Sequence, residues 1–172
     1  MKKSTAAAEG CKTLRPLRRV LLVSLRPRHA ESIVAGTKGF EFRRVQPKIA
    51  EGDEVVVYAT APIAAIVCRF DVTSVLSREP ESLWRYVSAK PGVTKFEYRE
   101  YFRGRSIAHA IGVGQVKVLR DPLDLGIIRK EIVRFVPPQS YWYLDPSRAQ
   151  DAKLRQMLDV AFKTPSGLRR AG

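Results

Sequence analysis

The feature that most constrains the fold is a series of short apolar runs, each bounded within a few positions by glycine, proline or charged residues. Residues 20–23 (VLLV) form one such run, and the turn signal Gly52-Asp53 precedes another. Runs of this length between turn residues are typical of buried or half-buried strands. The predicted strands are 20–23, 40–43, 54–60, 63–75, 107–118 and 140–144.

Short helices are predicted between these strands. Pro27 suits the first turn of a helix, and Gly36 suits the left-handed residue that ends it. The apolar face of this helix holds Ala30, Ile33 and Val34. Two further inserted helices are predicted at 79–88 and 94–103.

A last helix is predicted after Asp145-Pro146, where an N-cap residue precedes a proline at the first helical position. Strands outnumber helices, and their spacing is irregular, which favours a mixed barrel over an alternating sheet. The sequence therefore predicts an α+β fold: a small mixed β-barrel with short inserted helices and a C-terminal helix. The predicted segments are a flexible basic arm at 1–19, the barrel at 20–144, a helix packed on the barrel at 145–162 and a frayed tail at 163–172.

The charge of the chain indicates the kind of partner. Lys and Arg number 31 against 17 Asp and Glu, a formal net charge of +14, which attracts polyanions. RNA or single nucleotides are the expected partners, and DNA is a further candidate. No run approaches the roughly 20 apolar residues that span a membrane, and Thr5–Ala8 is too short for the core of a secretory signal. We therefore expect a cytoplasmic protein without a membrane contact.

The cysteines predict neither a disulfide framework nor a metal site. Cys11 and Cys68 are the only two in the chain, and they lie in different predicted segments. Cys68 alternates with Ile66 and Phe70 on one predicted strand face, which predicts a buried, inert thiol. Because the sequence contains no constellation of metal ligands, no cofactor is expected.

A candidate site follows from the strand at 40–43. Glu41 and Arg43 lie two positions apart, so their side chains share the face opposite Phe40 and Phe42. Lys38 precedes this strand and can reach the same place, where its charge would lower the pKa of Glu41. The alternative interpretation is a surface salt-bridge cluster, which contributes little stability.

The predicted helix at 94–103 carries a basic stripe. Lys95, Arg99 and Arg103 recur every four residues, a spacing that can follow a phosphate backbone. The alternative is an ordinary solvated face. The apolar face of the same helix is predicted to hold Tyr98, Tyr101 and Phe102.

An ordered set of short motifs resembles the ASCH domain of the PUA-like superfamily. These motifs are SLRP at 24–27, IVAGTKGFEFR at 33–43, Gly52-Asp53, VYATAP at 57–62 and PPQSY at 137–141. The resemblance covers roughly residues 21–144. It implies a small barrel with a polar cleft, between the barrel and its helices, that binds RNA or a nucleotide.

The resemblance also implies a set of ligand-binding residues. Amides, hydroxyls and a tyrosine ring suit the edges and faces of a splayed base, although Tyr58 equally suits a core position. The expected ligand-binding residues are Ser24, Arg26, Lys38, Glu41, Arg43, Tyr58, Thr60, Gln139 and Ser140.

Two functions remain open at this point. The first is an RNA- or nucleotide-binding module. The alternative is a metal-independent ribonuclease or nucleotide amidohydrolase, because some ASCH domains are reported as ribonucleases and an acetylcytidine amidohydrolase belongs to the same group. In that amidohydrolase a catalytic lysine matches Lys38, whereas Glu41 stands where it has a threonine. As catalytic residues we expect Lys38 as an electrophile or a helper of the nucleophile, and Glu41 as a general acid or base. His29, in the preceding helix, is a candidate general base if the fold brings it to the cleft. The alternative for His29 is an exposed residue on the helix surface.

Overall fold

The computed structural model of the protein describes residues 18–163, which form six strands and five helices. None of these helices has the length and apolarity required to cross a membrane. In chain order the elements are β1 Val20–Leu25, α1 Pro27–Val34, β2 Phe40–Arg43, β3 Glu54–Ala59, β4 Ala65–Arg78, α2 Pro80–Val87, α3 Lys95–Tyr101, β5 Ala108–Asp124, α4 Leu125–Glu131, β6 Tyr141–Tyr143 and α5 Ala149–Lys163.

The six strands form one mixed sheet in the order β2-β5-β4-β3-β1-β6. β1 and β3 are parallel, and the other neighbours are antiparallel. The register shifts between β3 and β4 and three times between β4 and β5. Because such bulges bend strands and increase their twist, the sheet curls into a half-barrel. The predicted α+β barrel-like fold is confirmed.

Both faces of the sheet are buried, so β1 is apolar on both sides. Leu21 and Val23 pack in a first core, which includes Ile33 of α1. Leu22, on the opposite face, packs in a second core with Leu154 of α5. Burial of a leucine side chain contributes about 1.5–3 kcal/mol, so these alternating contacts fix the register of β1.

The first helix begins and ends at the residues that the sequence indicates. Pro27 occupies its first turn, and Gly36 follows it with φ +71°. Its buried residues are Ala30 and Ile33, whereas Val34 is exposed, so the prediction for Val34 is wrong. Val34 is the last residue of the helix and lies about 100° around it from Ile33, at the edge of the apolar face.

A third core joins α2 and α3 to the edge of the sheet. Phe42 of β2 lies edge-on to Tyr98 and Phe102, with ring centroids 5.1 and 6.2 Å apart. These contacts bury one face of β2 and hold α3 beside it. Tyr101, which was expected on the same apolar face, is 38% exposed instead.

The region around residues 119–131 differs from the prediction. β5 continues through Pro122 to Asp124, and the helix α4 follows directly. The partners of Ile66 and Cys68 on β5 lie five residues apart, so the proline occupies a bulge, where no ladder hydrogen bond is needed. The last helix begins at Ala149 rather than at Pro146, because the carboxylate of Asp145 accepts hydrogen bonds from Ser147 within a turn.

The same bulge corrects the predicted strand face of Cys68. Cys68 is buried in the first core with Phe70, as expected, and burial raises the pKa of its thiol to about 12. Ile66 packs in the second core instead, because at the same place β4 has an extra residue opposite β3, Val67, which switches the alternation of β4.

The boundary of the basic arm is also earlier than predicted. Arg18 forms an ion pair with Asp71 and lies 3.6 Å from a carboxylate oxygen of Glu54. The backbone N–H of Arg19 donates to Asp53 over 2.9 Å. Both residues are therefore attached to the barrel, and the remainder of the predicted arm, including Cys11, lies outside the described residues, as does the tail after Lys163.

Candidate functional site

A cleft of about 690 Å³ opens between α1, α3 and β2. The segment before β6 closes its far end with Gln139 and Ser140. A volume of this size suits a small-molecule ligand or one unit of a polymer.

The floor of the cleft is a buried triad of Lys38, Glu41 and Arg43. Nζ of Lys38 lies 2.9 Å from Oε2 of Glu41, and Nη2 of Arg43 lies 3.1 Å from Oε1. The three residues are only 4–6% exposed. Glu41 and Arg43 share the face of β2 opposite Phe42, as the alternation predicts.

Lys38 is held in place by the loop between α2 and α3. The backbone N–H of Gly39 donates to the carbonyl oxygen of Lys90 over 2.8 Å. The backbones of Lys38 and Pro91 pair as an isolated antiparallel β-bridge. Gly92, at φ +62°, lies so close that a Cβ there would be 2.4 Å from the Cβ of Lys38. Only glycine combines this conformation with this close approach, so Gly92 allows the loop to pack on Lys38.

The electrostatics of the triad keep Glu41 ionised. Burial alone raises the pKa of Glu41, but Lys38 and Arg43 together outweigh it and hold the pKa below its ordinary value. Two cations and one carboxylate leave one net positive charge at the floor. The floor therefore has an excess positive charge that suits a phosphate.

Arg43 links the triad to the other wall of the cleft. Its Nη1 donates to Oγ of Ser140 over 3.1 Å, and its guanidinium lies 5.9 Å from the ring centroid of Tyr141. Ser24 and Thr60 follow at the carboxyl ends of β1 and β3, next to this wall. Their hydroxyls add neutral hydrogen-bonding groups beside the charged floor.

Several polar atoms of cleft residues have no hydrogen-bond partner within residues 18–163. They are Oγ of Ser24, Nδ1 of His29 and Nε of Arg43. Buried polar atoms in folded proteins are almost always paired. The hydrogen-bonding capacity of these buried atoms is thus left unused within the described residues.

His29 faces the cleft from α1. Burial and the charge of Lys38 lower the pKa of His29 to about 4. The imidazole is thus neutral near pH 7 and can accept a proton. His29 and Lys38 both line the cleft, which is the condition that a role of His29 as general base requires.

The cleft brings together most of the residues expected to bind a ligand. Those that line it are Ser24, Arg26, Lys38, Glu41, Arg43, Thr60, Gln139 and Ser140. Tyr58 does not, and its predicted position is wrong. It packs with Val56 in the second core, opposite the first core, because the regular alternation of β3 places both side chains on that face.

The basic stripe of α3 lies outside the cleft. Lys95 and Arg99 both pair with Glu81 of α2, at 3.4 and 2.6 Å, and Arg103 pairs with Glu100. These carboxylates offset much of the positive charge of the stripe. Its predicted role in binding a phosphate backbone stays a prediction.

The sequence did not reveal the contribution of α3 to the cleft. Its cleft-lining residues are Phe96, Glu97, Tyr98, Glu100 and Tyr101. A signal was present in the helix itself, because the burial of Tyr98 and Phe102 turns Phe96 away from the core. Single exposed apolar residues are common, so this signal indicates the side of the helix on which Phe96 lies and not the presence of a cleft.

No group of three or more His, Cys, Asp or Glu side chains within residues 18–163 is placed to hold a metal ion. The polar side chains at the floor are cations and one ion-paired carboxylate. These groups suit an anionic ligand better than a cation.

Residues 18–163 form a small α+β half-barrel with a charged cleft, and the comparison with known families agrees with this fold. The model described as the ASCH domain matches residues 23–117, more than half of the chain. The protein belongs to the ASCH domain family, as its motifs suggested.

Characterised relatives cover nearly the whole domain. The "ASCH domain-containing ribonuclease" of Zymomonas mobilis is 29% identical over 135 residues, which span 78% of this chain and 90% of the relative. The crystal structure of ASCH from Zymomonas mobilis matches 80% of this chain and 94% of its own, with 28% identity and a TM-score of 0.72. A tyrosine-to-phenylalanine variant of that protein matches with the same TM-score and 27% identity, over 82% of this chain and 99% of its own.

Proposed function

We propose that this protein binds RNA in the cleft and cleaves it. Similarity to the ASCH ribonuclease of Zymomonas mobilis supports an RNA-related function, because the match spans 90% of that relative. The positive charge of the chain agrees with a polyanionic partner. The observation that carries the proposal is the buried Lys38–Glu41–Arg43 triad beneath polar atoms that have no partner.

In this proposal the triad binds the phosphate. Lys38 and Arg43 approach it as cations, and Arg43 can donate its Nε–H, which makes no hydrogen bond within the described residues. Glu41 holds both cations in place through its two oxygens. Charge-assisted hydrogen bonds of this kind are about twice as strong as neutral ones.

Cleavage then needs a proton acceptor and a proton donor. A neutral His29 accepts the proton of the ribose 2′-hydroxyl, whose oxygen forms a bond to phosphorus while the bond to the leaving 5′-oxygen breaks. Lys38 stabilises the charge on the phosphoryl oxygens and donates a proton to the leaving oxygen. Glu41, with its lowered pKa, is ionised and acts as a positioning residue rather than as an acid.

A ribonuclease assay with three variants tests this function. The wild type should cleave single-stranded RNA, and both His29→Gln and Lys38→Met should reduce turnover by about 100-fold or more, the usual scale of general acid–base catalysis. Glu41→Gln should also lose activity, measured at a temperature where it remains folded. Tyr58→Phe should be fully active, because Tyr58 lies outside the cleft.

The same assay separates the proposal from its rivals. If the wild type binds RNA with an affinity that falls as salt increases but never cleaves it, the protein is an RNA-binding module and not a ribonuclease. Release of acetate from an acetylated nucleoside, abolished by Lys38→Met, would indicate a nucleotide amidohydrolase. Neither result is compatible with a ribonuclease as the main activity.

A further inference from the structure

Phe96 is an exposed aromatic residue at the cleft. It lies in the first turn of α3, is 73% exposed and lines the cleft. Within the part of the chain that the structure describes, its ring makes no contact with another ring or with a cation. Single exposed apolar residues are common on protein surfaces, but Phe96 lies beside the charged floor, where its ring is open to a ligand that enters the cleft.

The backbone beneath Phe96 is fixed. Thr94 and Glu97 form a capping box, in which the N–H of Thr94 donates to Glu97 over 2.9 Å and the N–H of Glu97 donates to Thr94 over 3.2 Å. Tyr98 anchors the same turn in the third core. Glu97 also forms an ion pair with Arg28 of α1, which ties the two walls of the cleft together. Phe96 is therefore presented from a rigid turn, so little ordering entropy opposes a contact with its ring.

The other aromatic rings of the cleft are already engaged. Tyr101 has the guanidinium of Arg44 4.6 Å from its ring centroid, and its hydroxyl donates to the carbonyl oxygen of Phe42 over 3.5 Å. Tyr98 and Phe42 are buried against each other. Phe96 is thus the cleft aromatic, among residues 18–163, whose ring is available to a planar ligand.

The charged floor of the cleft suits the phosphate of a nucleotide, and the exposed ring of Phe96 at the edge of the cleft suits its base. We propose that Phe96 stacks against a nucleobase of the RNA whose phosphate lies on the Lys38–Glu41–Arg43 triad, an inference that rests on the proposed function. Stacking on an aromatic ring needs only the face of a base, so it accepts all four bases and requires a base that is unpaired and splayed out. Phe96 would therefore favour single strands without reading their sequence.

Binding of a short 2′-O-methyl oligonucleotide tests the inference, because this probe lacks the 2′-hydroxyl that cleavage requires. Phe96→Ala should weaken binding by about 5-fold or more, the effect of removing one base-stacking ring. Phe96→Trp should bind at least as tightly as the wild type. Tyr86→Ala is the matched control and should bind normally, since Tyr86 of α2 is an aromatic residue of similar exposure, 62%, that does not line the cleft.

An abasic version of the same oligonucleotide distinguishes stacking from other causes. Wild type and Phe96→Ala should bind it alike, because the base that Phe96 contacts is missing. Equal losses on the abasic and the complete probe would overturn the stacking role, as would an unchanged affinity of Phe96→Ala for the complete probe. A wild type that binds neither probe would instead reject the proposed function itself.

Discussion

Two clusters in this protein have the same composition and opposite surroundings. At the floor of the cleft, Glu41 lies between Lys38 and Arg43, with side chains 4–7% exposed. On the outer surface, Glu81 of α2 lies between Lys95 and Arg99, with side chains 46–58% exposed. Each contains one lysine, one glutamate and one arginine. Burial is the difference between them, and it separates a candidate site from an ordinary charged surface.

The energetics of the two clusters follow from their contact with water. Exposed ion pairs exchange good hydration for a weak, screened attraction, so they contribute little. Buried charges lose their hydration, and attraction between them restores it only when the geometry is good. An apolar core would stabilise the barrel at least as well as the buried cluster. Its charges therefore point to a requirement beyond folding, which the proposed binding of a phosphate would supply.

The largest expected difference between the clusters is in stability. Glu41→Gln should lower the free energy of unfolding by about 3 kcal/mol, because it leaves Lys38 and Arg43 buried without a counter-charge. Glu81→Gln should leave the unfolding midpoint unchanged within error, because water replaces its partners. Chemical denaturation of both variants under identical conditions measures the contrast. Equal midpoints for the two variants would show that the floor is hydrated like the surface.

A second contrast is between two glycines in the left-handed backbone conformation: Gly92, which is crowded by its neighbours, and Gly104, which is not. Gly92 and Gly104 have φ +62° and +72°, but only a Cβ at Gly92 would strike Lys38. Gly104→Ala should cost about 1 kcal/mol, the penalty of the left-handed conformation, and Gly92→Ala about 2 kcal/mol, because overpacking is added. Gly92→Ala should also reduce RNA affinity, whereas Gly104→Ala should not. Equal stability losses, with normal binding by both, would contradict the positioning of Lys38 by the loop.

The lowered pKa of His29 predicts that the stability of the protein depends on pH. It is about 4 in the folded protein against an ordinary 6.5, so between these values the unfolded chain binds the additional proton. Stability should therefore fall as the pH decreases from 6.5 towards 4, and His29→Gln should lack this part of the slope. Inorganic phosphate, by offsetting the charge of Lys38, should raise the pKa of His29 by about one unit in an NMR titration. A pKa near 6.5 in the free protein would place His29 in water rather than at the cleft.

Sequence reasoning succeeded where one local rule decides the outcome. Alternation in a strand of four residues placed Glu41 and Arg43 together, and glycine chemistry placed the end of α1 at Gly36. Both depend on neighbours within a few positions. The resemblance to the ASCH family predicted that Gln139 and Ser140, from a distant segment of the chain, lie at the same cleft, and both line it.

Sequence reasoning failed where a strand irregularity or a contact with a distant part of the chain determines the position of a side chain. An extra residue in β4, Val67, separated Ile66 from Cys68, and no sequence period reports a bulge. Alternation placed Tyr58 with Val56, but the packing of the whole fold decides which side chains of β3 reach the cleft. Burial of Lys38 depends on a loop more than fifty residues later. The pairing of the basic stripe with Glu81 likewise requires the packing of α2 against α3, which the period of either helix alone does not contain.

The smallest expected effect concerns the two clusters as binders of RNA. Lys38→Met should reduce the slope of log affinity against log salt by about one, the loss of one phosphate contact, whereas Arg99→Ala should change affinity by less than about 2-fold, because Glu81 already neutralises Arg99 locally. Titrations between roughly 50 and 200 mM salt cover the range in which counterion release is measurable. Deletion of residues 1–17, which retains Arg18 and its ion pairs, measures the contribution of the basic arm in the same experiment. If Arg99→Ala reduces the slope as much as Lys38→Met, the exposed stripe also contacts the phosphates, and burial no longer distinguishes the cluster that binds RNA from the one that does not.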